Sequence, residues 1–347
     1  MIPSRQRWNV ALVLSIAVAL LGADKGPKPP APRGTWIEAR TENFVLFSNA
    51  SEKQTKDVAR QLEQFRALLA RITTHIRLSS PAPTSMLVFD GEKSFTPYNT
   101  DSDVRGMFAP RPDGNFAAFI ARPYIAPSAR NLRDDAHFPY DTVYHEYVHY
   151  VLRNNFANMP RWLNEGMAQY YATFRVDGDV AQVGFPRRLH LNNLLYGPWI
   201  PLADLLRDGP MSGHELLTGQ FYCESWFITH YILNGSETRR GQLDAYLGLV
   251  AKGIRSDQAF RQAFETDLEA FTVELRKYLA SNQFYMASAP LGDATSAMDV
   301  RLSPMSAADV LTDLGVLTRR ILTPGVKFFT RQGGPPEGAW RRHAPVV

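Results

Sequence analysis

The sequence predicts an α+β fold, a small N-terminal mixed sheet with interleaved helices followed by a mainly helical half. Two observations predict it. Between residues 36 and 121, apolar runs of strand length are separated by turn residues and one long helical stretch. From residue 140 onward, apolar side chains recur mostly at three- and four-residue spacings, with one short hairpin signal at Asp177-Gly178. A length of 347 residues gives one large or two small domains. Hydrophobic residues at 45% and aromatics at 12% supply a core and exclude a wholly disordered chain.

The N-terminus reads as an export signal. Arg5 and Arg7 precede an apolar run from Val10 to Leu21, then Gly22-Ala23 and a polar break at Asp24. The run is too short for a comfortable membrane span. Cleavage after Ala23 makes residues 1–23 a signal peptide, and retention makes them an anchor. The expected location is therefore periplasmic, secreted or membrane-anchored. Residues 24–35 form a stiff Pro-rich linker.

The folded domain is expected over residues 36–282. Asn43 to Ser48 reads as a strand, and Ser51 with Gln54 forms a capping box. The helix so started runs to about Thr74, with Val58, Leu62, Phe65, Leu68 and Leu69 along one side. Thr84 to Phe89 is a second strand. Arg105 to Ala121 holds two apolar runs bracketing Pro112-Asp113-Gly114-Asn115, a hairpin signal.

Tyr140 to Tyr171 carries the chemistry. In H-E-Y-V-H, His145 and His149 are four residues apart, so on a helix they project from one face on adjacent turns. Two imidazoles so placed can bind one Zn²⁺, with Glu146 in reach of a water there. Pro139 suits a first helical position, and Val148, Val151 and Leu152 supply the apolar stripe. Asn154, Asn155 and Pro160 end that helix. Trp162, Leu163, Met167, Tyr170 and Tyr171 give a second helix its apolar face, with Glu165 as the next candidate ligand and Gly166 permitting close approach.

H-E-x-x-H followed by N-E-G-x-A resembles the pattern of gluzincin metallopeptidases. The fuller form, H-E-Y-V-H-Y…P-R-W-L-N-E-G-M-A-Q-Y-Y, is similar to the peptidase-MA-like family of bacterial proteins. The resemblance runs from about Trp36 to Ala280. It implies a zincin-like fold, Zn²⁺ held by His145, His149 and Glu165, Glu146 as general base, and a peptide or polypeptide substrate. Many gluzincins carry an acid four positions after the glutamate ligand. Gln169 stands there in this chain and adds no charge, leaving Asp141, one turn before His145, as a substitute. In zincins the sheet edge above the metal pairs with the substrate backbone, and Gly106–Ala109 or Phe116–Ala118 would be that edge. An ordinary structural hairpin would read the same.

In Gly219 to Leu233, Tyr222, Trp226 and His230 recur every four residues on one helical face. Zinc peptidases commonly place a Tyr or His opposite the metal to stabilise an oxyanion, which nominates Tyr222 first and His230 second. A buried aromatic helix would show the same spacing. Cys223, the only cysteine, reads as a buried small residue and excludes an intramolecular disulfide. His190 and His214 lack metal-like spacing and read as surface or loop residues.

Gln242 to Tyr278 predicts two further helices. Residues 283–347 read as a C-terminal extension. Ser306 and Asp309 there cap one helix bearing Val310, Leu311, Leu314 and Leu317, and a disordered basic tail follows from Arg319. The net charge of +4, with no basic patch interleaved with aromatics, excludes nucleic acid as the expected partner. The expectation is an exported zinc-dependent peptidase. The alternative is a noncatalytic exported protein that binds zinc or peptide on a peptidase fold. Membrane association follows only if the N-terminal segment is retained.

Overall fold

A computed structural model describes residues 32–72, 77–78, 84–98, 104–109, 116–121, 140–207, 219–292, 299–321 and 327–330. The segment read as a signal peptide, most of the expected linker, the turn at Pro112–Asn115, Pro139, His214 and the tail beyond 330 lie outside the described residues.

The first half is built on strands β1 (Ile37–Arg40), β2 (Phe44–Ser48), β3 (Thr84–Phe89), β4 (Val104–Ala109) and β5 (Phe116–Ile120). Helix α1 (Glu52–Ile72) joins β2 to β3, and the long crossover lets these two strands run parallel. The predicted capping box starts α1, Gln54 N–H donating to Ser51 Oγ at 3.3 Å and Ser51 N–H to Gln54 Oε1 at 3.4 Å. β3 pairs parallel with β5, while β4 and β5 form the expected antiparallel hairpin.

Alternation of side chains gives this sheet two buried faces. Met86, Val88, Ala117 and Phe119 face the main core with Val58, Leu62 and Phe65 of α1. Leu87, Phe89, Phe116 and Ala118 face a second core with Trp36, Phe95 and Tyr98. Phe95 lies in the short helix α2 (Glu92–Phe95), and Tyr98 ends the 3₁₀ turn after it.

The second half packs helices against the first core. Helices α3 (Asp141–Asn155) and α4 (Arg161–Tyr171) come first, then the hairpin of β6 (Arg175–Asp177) and β7 (Val180–Val183), turned at Gly178 with φ 61°. Helices α5 (Arg188–Tyr196) and α6 (Leu202–Leu205), like β1, are elements that the sequence reading did not contain. Helix α7 (Gln220–His230) is buried on almost every side, with Phe221, Trp226, Phe227 and Ile228 all in the core. Where two helices were expected after Gln242, three form: α8 (Glu237–Ala251), α9 (Ser256–Phe264) and α10 (Leu268–Ser281). The break falls at Glu265, held at φ 49°, and Asp267 caps α10 by accepting from Ala270 N–H at 2.7 Å.

Among the described residues, three strands beyond 282 join the two sheets, a correction to the reading of this region as an extension with a single helix. β8 (Ala287–Pro290) pairs with β7 and completes a three-stranded sheet. β9 (Arg301–Pro304) pairs with β1, and β10 (Lys327–Thr330) pairs with β4, which completes a seven-stranded mixed sheet ordered β10-β4-β5-β3-β2-β1-β9. Between them α11 (Ala307–Ile321), capped at Ser306 as expected, seats Val310 and Leu314 in the second core.

Helices α4 and α7 meet at Gly166, where a methyl group would fall inside contact distance of the Thr229 hydroxyl and the Ser225 carbonyl. One partner is backbone and cannot swing aside. Gly166→Ala is therefore expected to destabilise the fold by about 1–3 kcal/mol, as overpacking does. Thermal unfolding measures it, with a midpoint lowered by several degrees. An unchanged midpoint would mean that the two helices separate at little cost.

Candidate metal centre

Helix α3 turns Tyr144, Tyr147, Val148 and Val151 into the main core, where Tyr144 stacks 4.5 Å from the ring of Phe65. That packing fixes its rotation and leaves His145 and His149 on the flank toward α4. Pro160 caps α4, and its second turn delivers Glu165 to the same place.

The three side chains converge. The Nε2 atoms of His145 and His149 are 3.0 Å apart. Glu165 Oε2 lies 3.4 Å from the first and 3.3 Å from the second. Three donor atoms this close can share one metal ion. Glu146 adds a fourth polar group just outside the triangle, its Oε1 at 3.5 Å from His145 Nε2 and 3.8 Å from His149 Nε2. Its side chain is buried.

His149 is held from behind. Its Nδ1 lies 3.1 Å from the amide oxygen of Asn164. An amide oxygen only accepts, so Nδ1 carries a proton, and in the neutral ring this tautomer leaves the Nε2 lone pair facing the shared site. Burial, and then the neighbouring His149, hold the His145 imidazole below its ordinary pKa against the raising pull of Glu165 and Glu146. Neutral imidazole is the form that ligates a metal. Asn164 was visible in the N-E-G motif, but without a partner it carried no role in the sequence. Asp141, expected as a substitute acid behind His145, directs its carboxylate to Arg187 at 3.1 Å. Gln169 is buried.

Tyr222 stands at the start of α7 beside this group. Burial raises its phenol pKa, and the Glu165 and Glu146 carboxylates raise it further, while Arg161 opposes them. Those neighbours place the hydroxyl in the field of the site. Arg161, one turn before Glu165, escaped the sequence reading because nothing local marks it.

No protein-family model matches the chain, and no curated protein sequence matches it.

His230 stands apart from the site, and its nomination is corrected. Two turns separate it from Tyr222, about 12 Å along the axis of α7. Its Nε2–H donates to the Gly184 carbonyl at 2.9 Å, and its Nδ1 accepts from the Tyr278 hydroxyl at 3.0 Å. Burial pushes its pKa down to about 4, so it is a neutral core residue. His190 also departs from expectation. It is buried on α5 with its ring 5.4 Å from that of Trp226, and burial takes its pKa to about 3. Cys223 is buried as expected, and burial pushes its thiol up to about 11, far from the reactive thiolate range.

The triangle predicts about one bound divalent ion per chain, with occupancy lost in His149→Ala or Glu165→Ala. Asn164→Ala should instead keep the site and weaken it by roughly 10–100-fold, the usual effect of removing a ligand's outer partner. Elemental analysis and competitive chelator titration check both. Full occupancy in either ligand variant would show that the ion sits elsewhere.

Proposed function

We propose that the chain is an exported zinc peptidase of gluzincin type on a zincin-like fold, hydrolysing peptide bonds in extended polypeptides. The observation that carries this reading is the convergence of His145, His149 and Glu165 from two helices with Glu146 buried beside them. Two imidazoles and one carboxylate are a known donor set for catalytic zinc. The fit is also one of size. A tetrahedron on bonds of about 2.05 Å has edges of about 3.3 Å, and the three donor separations are 3.0, 3.3 and 3.4 Å. When bound, zinc supplies a Lewis acid that polarises a carbonyl and brings the pKa of water from ~15.7 toward ~7.

The protein's own residues divide the remaining work. Glu146 accepts the proton of the attacking water and passes it to the amide nitrogen as the C–N bond breaks. Its burial keeps bulk water from competing for that proton. Tyr222 remains protonated because burial and two carboxylates hold its pKa high, so its O–H is available to an oxyanion. Asn164 fixes the tautomer and ring orientation of His149. Export rests on the basic and apolar N-terminal pattern through Leu21. Among the described residues no helix is long and apolar enough to cross a membrane. A protein that only bound zinc or peptide would have no use for Glu146, and for that reason the enzymatic reading is preferred.

Glu146→Gln is expected to keep metal and thermal midpoint while lowering hydrolysis of a peptide library by roughly 10²–10⁴-fold. A variant that cleaves as fast as the native chain would remove the mechanism.

Tyr222→Phe removes one donor and almost no volume. If the hydroxyl serves the oxyanion, kcat should fall about 10²–10³-fold with the midpoint nearly constant. A loss of about 1 kcal/mol of stability with unchanged kcat would return Tyr222 to the core.

A further inference from the structure

β4 packs against α3, the helix carrying His145 and His149. One of its sides is paired with β5. An extended chain laid along the other side would add to a strand that touches the helix carrying His145 and His149, held by main-chain hydrogen bonds that ask little of its sequence. In this structure that side is taken by the protein's own residues Lys327–Thr330. They run antiparallel to β4, with Lys327 opposite Phe108, Phe328 opposite Met107 and Phe329 opposite Gly106.

We infer that β10 is an internal competitor for the peptide-binding edge, so that an extended substrate must displace it from β4 before it can reach the site. The inference rests on the peptidase reading for its consequence, but the displacement itself is a binding event. Three features make β10 replaceable. It has four residues, it is the outermost strand and pairs on one side only, and its register slips between Phe329 and Thr330. Its neighbour in sequence is fastened elsewhere, since α11 seats Val310 and Leu314 on the far face of the sheet. Lys327 follows the end of α11 at Ile321 after only residues 322–326. A tether this short gives the strand a local concentration on the order of millimolar, enough to exclude weak peptides while admitting those that bind better.

The test uses the Glu146→Gln chain and a dye-labelled synthetic peptide of residues 325–332, with binding read by fluorescence anisotropy. A chain ending at Ile321 is expected to bind this peptide at least ~10-fold more tightly than the full chain. Equal affinity in the two, or no binding to either, would overturn the inference. A second variant keeps the whole chain. Met107→Cys with Phe328→Cys places two cysteines at opposed register positions of an antiparallel pair, the positions at which cross-strand residues come closest. Cys223 is buried and should not interfere. The oxidised form should bind no peptide and reduction should restore the full-chain level, whereas a lock that fails to form, or that binds peptide as well as the reduced form, would overturn it. The same lock with Glu146 intact separates the two readings. Tail-dependent binding in a chain that hydrolyses nothing would leave strand displacement standing and remove the peptidase. Hydrolysis at one rate in locked and reduced chains would do the reverse.

Discussion

The position of Glu165 depends on how closely α4 can lie against its neighbours. On one side α4 faces α3, which carries both histidines. On the other it is pressed onto α7, and Gly166 removes the side chain that would hold them apart. The residue next to the carboxylate ligand is thus the one that sets the depth of its helix. Further along, Trp162 donates its ring N–H to Tyr246 at 2.9 Å and ties α4 to α8. A ligand triangle with sides near 3.3 Å tolerates little drift, and rigid packing on both flanks of α4 supplies what flexible side chains cannot.

Much of this was legible because it is local. The capping box at Ser51, the apolar runs of β3 and β5, and the four-residue spacing of His145 and His149 are all set by neighbours within one or two turns. The same local logic failed where long-range contacts decide. Tyr222 and His230 share a helical face by spacing, yet at one end of α7 Tyr222 feels the Glu165 and Glu146 carboxylates, while at the other His230 meets Gly184 and Tyr278. Spacing gives a face, and only the tertiary fold says what lies opposite each end of it. His190 sits on a short helix that the sequence did not announce, so its burial against Trp226 could not be seen. The strands after residue 282 are four residues long and pair with partners one hundred or more positions away, which leaves almost no periodic trace.

The electrostatics of the site follow from burial as much as from charge. Glu146 and His149 are nearly sealed, and Glu165 and His145 are only slightly open. Burial raises the Tyr222 phenol pKa, and the Glu165 and Glu146 carboxylates add to that effect. The same desolvation keeps His145 neutral and ready to donate a lone pair.

The C-terminal segment gives the sheet its final form. Both outermost strands of the seven, β9 and β10, come from residues 301–330, and α11 between them packs on the face away from α3. An open sheet exposes a row of unpaired backbone groups at each margin, and short outer strands are a common way of limiting that liability. The two margins are not equivalent, however. β9 extends the sheet at the end away from the site, beside β1, where strand addition would bring nothing to the metal triangle. β10 extends it beside β4, the strand that runs against α3. A device that merely protects edges would make the same demands at both ends. At β4 the covering strand lies beside a strand that touches the helix carrying His145, Glu146 and His149.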